Sequence, residues 1–399
     1  SIDVDTASYS KVRQYLNDGR LPPPDSVRIE ELVNYFPYDY LGPMGKHPFT
    51  SHMEVCECPW QPEHRLARIA IKGRDIQRDS RPASNLVFLI DVSGSMNREN
   101  KLPLVKRGME MLVDELGEND RVAIVVYAGA AGLVLPPTPG NEKAAIKAAL
   151  GELHAGGSTA GAAGIKLAYE TARENFIEAG VNRVLLCTDG DFNVGISGTG
   201  ELVRLAEEQA GHNVFLSILG FGSGNLNDAM LEQVSGKANG MYALIDTENE
   251  ARKVLVEQLS GTLVTIAKDV KIQIEFNPAK VQGYRLIGYE NRILAAEDFN
   301  DDQKDAGEIG AGHMVTALYQ IAPVGAPPVF RERKVDDLKY QDKPQPNAKA
   351  DSDELLTLKL RYKQPEGDVS TLISFPVEDS TQPFAKASDD FQFAASVAS

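Results

Sequence analysis

Cysteine is scarce in this chain, and what there is cannot build a framework. Three cysteines among 399 residues exclude a disulfide-stapled scaffold. Cys56 and Cys58 are two apart and would share a face of a strand, while Cys187 sits in an apolar run as inert core. No Cys-x-x-Cys pair or histidine cluster accompanies them, which removes the usual zinc ligand sets. Any apolar run of the length a transmembrane helix needs is also missing. Positive charge is the minority sign: 41 Lys+Arg against 57 Asp+Glu leave a formal net charge of −16. That balance argues against a nucleic-acid or anionic-membrane surface. There is no initiator Met and no leader-like segment, so a trimmed or mature form is expected. From Ser388 the chain reads as a capped helix that has only begun, and the native protein is expected to run past both ends. What remains, 42% hydrophobic and 25% charged residues, suffices for two or more cores.

Against this background one stretch is informative. Leu86-Val-Phe-Leu-Ile-Asp91 is a continuous apolar run ending in a carboxylate, the pattern of a parallel strand buried on both faces. Ser93 and Ser95 follow on a tight turn, and then Leu102, Val105, Met109, Leu112 and Leu116 recur at helical spacing. Ligands of open α/β sheets bind at the carboxyl ends of strands. Carboxylate and hydroxyl oxygens there suit Mg²⁺, Mn²⁺ or Ca²⁺ rather than zinc or copper. Two later segments bring more oxygens to the same edge. Gly156-Gly157-Ser158-Thr159 precedes an amphipathic helix expected over Gly161–Ala179, carrying Ile165, Tyr169, Ala172 and Phe176. Arg183 to Cys187 is a second buried run, ending in Thr188-Asp189-Gly190. Singly, each hydroxyl reads as a turn or cap residue and each Asp as an N-cap. Together, on three loops, they read as a metal site. Asp191 reads as a solvated turn and His154 as a helix-end residue.

The order Asp91-x-Ser93-x-Ser95, then Thr159, then Asp189 in a Thr-Asp-Gly turn resembles the metal-ion-dependent adhesion site of von Willebrand factor type A domains. All five positions match. The resemblance implies that Ser93 and Ser95 ligate directly, that Thr159 joins in the ligand-bound form, and that Asp91 and Asp189 act largely through water. It implies a divalent cation, Mg²⁺ foremost with Mn²⁺ or Ca²⁺ as alternatives. An ion with so few direct carboxylates keeps positive charge and attracts an Asp or Glu side chain of a protein partner. Ile2-Asp-Val-Asp-Thr-Ala-Ser-Tyr9, Val27 to Pro37 and Asp305 to Gly312 further resemble a bacterial subgroup. Its members carry such a domain between characteristic N- and C-terminal extensions and are described as resembling calcium-activated chloride channel regulators. This resemblance implies a cell-envelope setting, whether periplasmic, lipid-anchored or secreted. No channel activity follows from a chain without a membrane span.

The expected fold class is α/β, a doubly wound, mostly parallel sheet of the Rossmann-like von Willebrand A type. A discontinuous antiparallel β domain, a sandwich, is expected beside it. Residues 1–48 read as a helical segment joined by a proline turn, and 49–84 as strands of the flanking β domain. The von Willebrand A unit covers 85–267, a β domain 268–387, and a helical extension begins at 388–399. Within the α/β unit, Gly132–Pro136 reads as a short edge strand stopped by prolines. A long closing helix is expected to carry Ala251, Val254, Leu255, Leu259, Leu263 and Ile266. Strict alternation marks Val270–Phe276 and Leu356–Tyr362 as half-exposed strands, and 331–354 reads as an exposed loop. Two other function classes are weighed. One is a structural envelope component whose metal only staples loops. The other is an enzyme, but Gly220 to Gly224 lacks the glycine spacing of a dinucleotide loop, and no Gly-x-Ser-x-Gly elbow or motif-placed histidine accompanies Ser93. The reading is therefore of a binding module, with no catalytic residue.

Overall fold

A computed structural model describes residues 5–77, 80–157, 161–190, 199–222, 228–258, 264–289, 299–300, 307–330, 346–365 and 367–399. Helix α1 (Ala7–Asn17) and helix α2 (Ile29–Tyr35) are joined through a 3₁₀ turn at Pro24–Ser26, the proline-bounded helical pair the sequence leads one to expect. Strands β1 (Phe49–Cys58) and β2 (Gln61–Gly73) follow as an antiparallel hairpin.

The α/β unit then begins with β3 (Ser84–Asp91), α3 (Leu102–Asp114), β4 (Arg121–Tyr127) and β5 (Ala131–Pro139). It continues through α4 (Lys143–Gly151), α5 (Gly161–Glu174), β6 (Val181–Thr188), α6 (Thr199–Gly211), β7 (Phe215–Phe221), α7 (Asp228–Lys237), β8 (Tyr242–Ile245) and α8 (Glu248–Arg252). Its sheet has the order β5-β4-β3-β6-β7-β8, parallel except for β5. Every residue of β3 and of β6 is buried. The reason is visible in the two cores. Leu86, Phe88 and Ile90 pack with Val105, Met109 and Leu112 of α3 on one face. Val87 and Leu89 pack with Ile165, Ala168, Tyr169 and Ala172 of α5 on the other. A strand feeding two cores has no polar side to alternate with.

Three local expectations are corrected here. β5 does not stop at its prolines but runs through Pro136 and Pro137 to Pro139, because an edge strand can leave the missing N–H positions unpaired. Helix α5 ends at Glu174, and Phe176 lies beyond it in a turn, 42% exposed. Nor does the closing helix run on. α8 gives way at Lys253–Gln258 to a π-helical segment, whose wider turn breaks the 3.6-residue spacing. Ala251, Val254 and Leu255 are buried as expected, Leu259 and Leu263 lie outside the described residues, and Ile266 belongs to a strand. That strand is β9 (Thr265–Phe276), claimed by pairing with the later strands at Ile309–Gly310 and Glu354–Lys363 rather than by helical periodicity.

The remaining strands are β10 (Val281–Ile287), β11 (Ile309–Gly310), β12 (Met314–Pro323), β13 (Glu354–Lys363) and β14 (Thr371–Glu378). They form two antiparallel sheets, β1-β2-β12-β10 and β11-β9-β13-β14. Ile71 pairs with Val315 and Ile69 with Ala317, so strands from before and after the α/β unit share one sheet. Val55, Ala67 and Ile321 of that sheet pack with Leu355 and Leu356 of the other, and Phe276 stacks on Tyr284 at 4.0 Å. This is the expected sandwich. Of the expected exposed loop at 331–354, residues 331–345 lie outside the described residues and Ala348–Asp351 form a 3₁₀ turn.

The helical termini dock onto these layers. Arg13 of α1 pairs with Asp246 and, at 3.1 Å, with Glu250. Tyr35 donates to Glu250 at 2.7 Å, while its ring stacks on Tyr9 at 3.8 Å and carries the Lys253 ammonium on its other side. Helix α9 (Asp389–Ala398) is capped by the Ser388 hydroxyl, which accepts the Phe391 N–H at 3.3 Å. Its Phe391, Ala394 and Ala395 bury against Cys56, Cys58 and Leu66. All three cysteines are buried free thiols. Burial pushes the Cys56 thiol up to about 12.

Two measurements check this packing. A Cβ on Gly164 of α5 would lie 2.8 Å from Tyr127 Cβ, so Gly164→Ala should lower stability by about 1–3 kcal/mol in urea unfolding; an unchanged midpoint would contradict the close approach. Burial at the α2 junction pushes the Lys253 ammonium down to about 8 from 10.5, against the raising effect of Glu250 and Glu257. Between those two pH values the unfolded chain holds the extra proton, so the Lys253 contribution to stability rises with pH across that window. Lys253→Met should remove that rise from the difference between the two unfolding curves, whereas parallel curves would place Lys253 in solvent.

Candidate metal centre

Strand pairing brings two of the sequence-predicted groups, Asp91 and Asp189, to one edge. β3 lies between β4 and β6, with Asp91 level with Tyr127 and Ile90 level with Cys187. Asp91 at the end of β3 and Asp189 just past β6 therefore emerge at one sheet edge. Both are buried, Asp91 completely. The Asp91 carboxylate folds onto its own loop, Oδ1 accepting the Ser93 N–H at 2.8 Å. The Ser93 and Ser95 hydroxyl oxygens converge to 3.0 Å. Ser93 is buried and Ser95 exposed, so the pair leads from the carboxylate to the surface.

The loop that leads to Thr159 is fastened to the first. Gly156 N–H donates to the Val92 carbonyl at 2.7 Å, and Gly94 N–H donates to the Gly157 carbonyl at 3.1 Å. Gly157 has φ +84°, where a side chain would be strained. Thr159 itself, with Ser158 and Asp191, lies outside the described residues. His154 is exposed, its ring bonded to the Glu152 carbonyl at the helix end. It takes no part in the cluster.

Electrostatics mark the cluster as short of positive charge. Burial, followed by the neighbouring Asp189 charge, raises the Asp91 carboxyl above its ordinary range, with Ser93 hydrogen bonds pulling the other way. Its second oxygen, Oδ2, is buried without a hydrogen bond of good geometry among the described residues. A buried, ionised oxygen in that position is costly unless a cation or donor meets it. The residues present thus fit a small hard cation: one fully buried carboxylate, two converging hydroxyls and a second carboxylate. Bound there, the ion would supply a positive centre for an oxygen ligand from outside.

Two neighbours of this cluster were not singled out in the sequence. Tyr127 is fully buried, its hydroxyl beside Asp91 and Thr188, and burial with the Asp91 charge keeps that hydroxyl neutral far above its ordinary range. Lys101 donates to Asp189 Oδ2 at 2.7 Å and to the Ser95 carbonyl at 3.1 Å. The available signals were a polar ring ending the apolar run Val122–Val126 and a lysine directly before the apolar helix stripe. A second gathering of carboxylates, Asp5, Glu31 and Glu232, has oxygens within 4.8 Å of one another. Its oxygens already take protein donors, Glu31 from Arg28 and the Ser8 N–H, and Asp5 from the Tyr242 N–H.

With this geometry described, comparison with known proteins identifies the class. Residues 85–258 match the von Willebrand factor type A domain family, 1–68 a family described as von Willebrand factor, and 261–399 one described as Uncharacterized protein YfbK, C-terminal. The chain is thus a von Willebrand factor type A protein, a class that acts through protein–protein interaction. It is 45% identical over 408 residues to the Escherichia coli (strain K12) protein described as Uncharacterized protein YfbK, spanning all of this chain and 69% of that one. The chain belongs to this family of bacterial von Willebrand factor type A proteins with a YfbK C-terminal region. Uncharacterized protein sll0103 of Synechocystis sp. is 30% identical over 187 residues, 47% of this chain and 43% of that protein. A solved von Willebrand factor type A structure from Catenulispora acidiphila is 16% identical, with a TM-score of 0.48 over 85% of this chain and 75% of that one.

The raised Asp91 carboxyl gives a testable sign. A carboxyl that holds its proton more tightly when folded makes the fold lose stability as pH rises out of the carboxylate range. At neutral pH in chelator, Asp91→Asn should therefore unfold at or above the wild-type temperature. A variant midpoint several degrees lower would mean that the ionised carboxylate is well accommodated without a cation.

Proposed function

We propose that this chain is a metal-dependent protein-binding or adhesion module of the bacterial cell envelope. A divalent cation, Mg²⁺ foremost and otherwise Mn²⁺ or Ca²⁺, is held by Asp91, Ser93, Ser95, Thr159 and Asp189, and takes an Asp or Glu side chain of a partner as its outer ligand. The observation that carries the reading is the fully buried Asp91 carboxylate at the strand end, joined by two converging hydroxyls that lead to the surface. Asp91 and Asp189 supply the charge that attracts the ion, and the hydroxyls orient it without neutralising it, so the remaining positive charge faces outward. The role is binding rather than catalysis. Among the described residues no histidine is hydrogen-bonded to Ser93, whose hydroxyl meets Ser95 and the Asp91 carboxylate instead.

A purely structural metal is the weaker reading. The Gly156 and Gly157 backbone bonds tie the second loop to the first, and Lys101 ties the Asp189 loop to Ser95, so the loops hold together without an ion. The envelope setting rests on the resemblance of the flanking segments to the bacterial subgroup. Among the described residues no helix is long and apolar enough to cross a membrane.

Calorimetric titration of Mg²⁺, Mn²⁺ and Ca²⁺ into metal-stripped protein tests the site. Saturable binding is expected in the wild type and is lost in Asp91→Ala, with that variant still folded by circular dichroism. Thr159→Ala should keep the bare ion and lose metal-dependent capture of an acidic peptide. Equal binding by wild type and Asp91→Ala would remove the assignment.

A further inference from the structure

Lys101 occupies a position that helix physics disfavours. It is the residue preceding α3, at the positive end of the helix dipole, where acidic and small polar residues are preferred. The residue is nonetheless 8% exposed, so most of its length is held inside the protein. Its ammonium meets Asp189 Oδ2 at 2.7 Å, with side chains 10% and 3% exposed, and the Ser95 carbonyl at 3.1 Å.

The lysine stem is built in as well. It crosses Gly222, which follows β7 with φ +94°, and a Cβ there would stand 3.0 Å from both Lys101 Cγ and Cε. Gly222 is itself held from two sides. Its N–H donates to the Ile245 carbonyl at 3.4 Å, and its carbonyl accepts the Gln14 side-chain amide of α1, also at 3.4 Å. The ammonium thus arrives at the metal cluster along a fixed path rather than as a surface lysine folding inward.

We infer that Lys101 is a tethered counter-cation of the metal site: it holds Asp189 away from direct ligation and weakens binding of the bare ion, keeping the loaded site positive for an acidic partner. The inference rests on the metal reading above. With Asp91 and Asp189 ionised and Lys101 charged, the protein side of the cluster is −1. A divalent ion then leaves the centre at +1, a charge that selects an outside carboxylate. Without the lysine, the same two carboxylates would offset more of the ion's charge and weaken its pull on a partner. Lys101 is a positioning residue acting through Asp189.

A charge series at this position tests it, read by calorimetry with Mn²⁺ and Mg²⁺ alone on the metal-stripped chain. Lys101→Met should bind the ion roughly tenfold more tightly or better, the scale of one unit charge near a divalent ion inside a protein. Lys101→Gln keeps hydrogen-bonding capacity toward Asp189 and Ser95 without the charge, and should also bind more tightly. Lys101→Arg keeps the charge and should stay within a few-fold of wild type. If Lys101→Met does not fold, as judged by circular dichroism, the Gln and Arg variants carry the comparison. Binding by the neutral variants where wild type shows none would support the inference in its strongest form. Wild-type binding with equal or weaker binding by the neutral variants would overturn it and leave the metal site standing. Binding by none of the chains would overturn both.

Discussion

The placement of β3 between two parallel neighbours is the constraint on which the rest depends. A strand bonded on both edges and packed on both faces has only its ends free, so any chemistry it carries must sit there. Asp91 is the last residue of that strand. Its neighbours deliver Tyr127 beside it and Asp189 one loop away. The hydroxyls of Ser93 and Ser95 follow because the chain must turn off the sheet to reach α3, and a turn of small polar residues makes that possible. The cluster is thus a product of sheet order as much as of residue type.

Its electrostatics are those of a site prepared in advance. Two carboxylates are kept near each other in the protein interior, with one lysine brought in from the start of a helix that would otherwise prefer an acid. Such an arrangement is adverse for folding taken alone. Backbone bonds between Val92 and Gly156, and between Gly94 and Gly157, supply an alternative source of rigidity. Loop geometry and charge are therefore separately determined: hydrogen bonds hold the loops, and the two carboxylates with Lys101 set the charge.

The flanking layers tie the α/β unit at both of its chain connections. β2 before it and β12 after it are paired along eight residues, so the unit is inserted into a sandwich rather than strung beside one. The N-terminal helices close the same assembly from the other side. Arg13 reaches Asp246 and Glu250 just past β8, and Gln14 reaches Gly222, the residue on which the Lys101 stem rests. A physical connection thus runs from α1 to the Asp91–Asp189 cluster through one glycine.

Much of this was legible in the sequence. The unbroken apolar runs at Leu86–Ile90 and Val184–Cys187 announced strands buried on two faces, because a half-exposed strand alternates and does not require four or five apolar residues in succession. Strict alternation in Val270–Phe276 and Leu356–Tyr362 announced half-buried sheets in the same way. Asp91, Ser93, Ser95 and Asp189 could be named because their spacing relative to those strands is local. Other features were decided only by tertiary structure. Helical spacing carried the closing helix on to Ile266, yet pairing with β11 and β13 makes that residue part of β9. Prolines that stop a strand in general were accepted at the sheet edge in β5. Lys101 and Tyr127 entered the site through strand order and a path across Gly222, contacts between residues far apart in the chain. Periodicity and local spacing report what each segment can bury and where it turns; which groups then meet depends on the register and order of the strands, and no single segment encodes that.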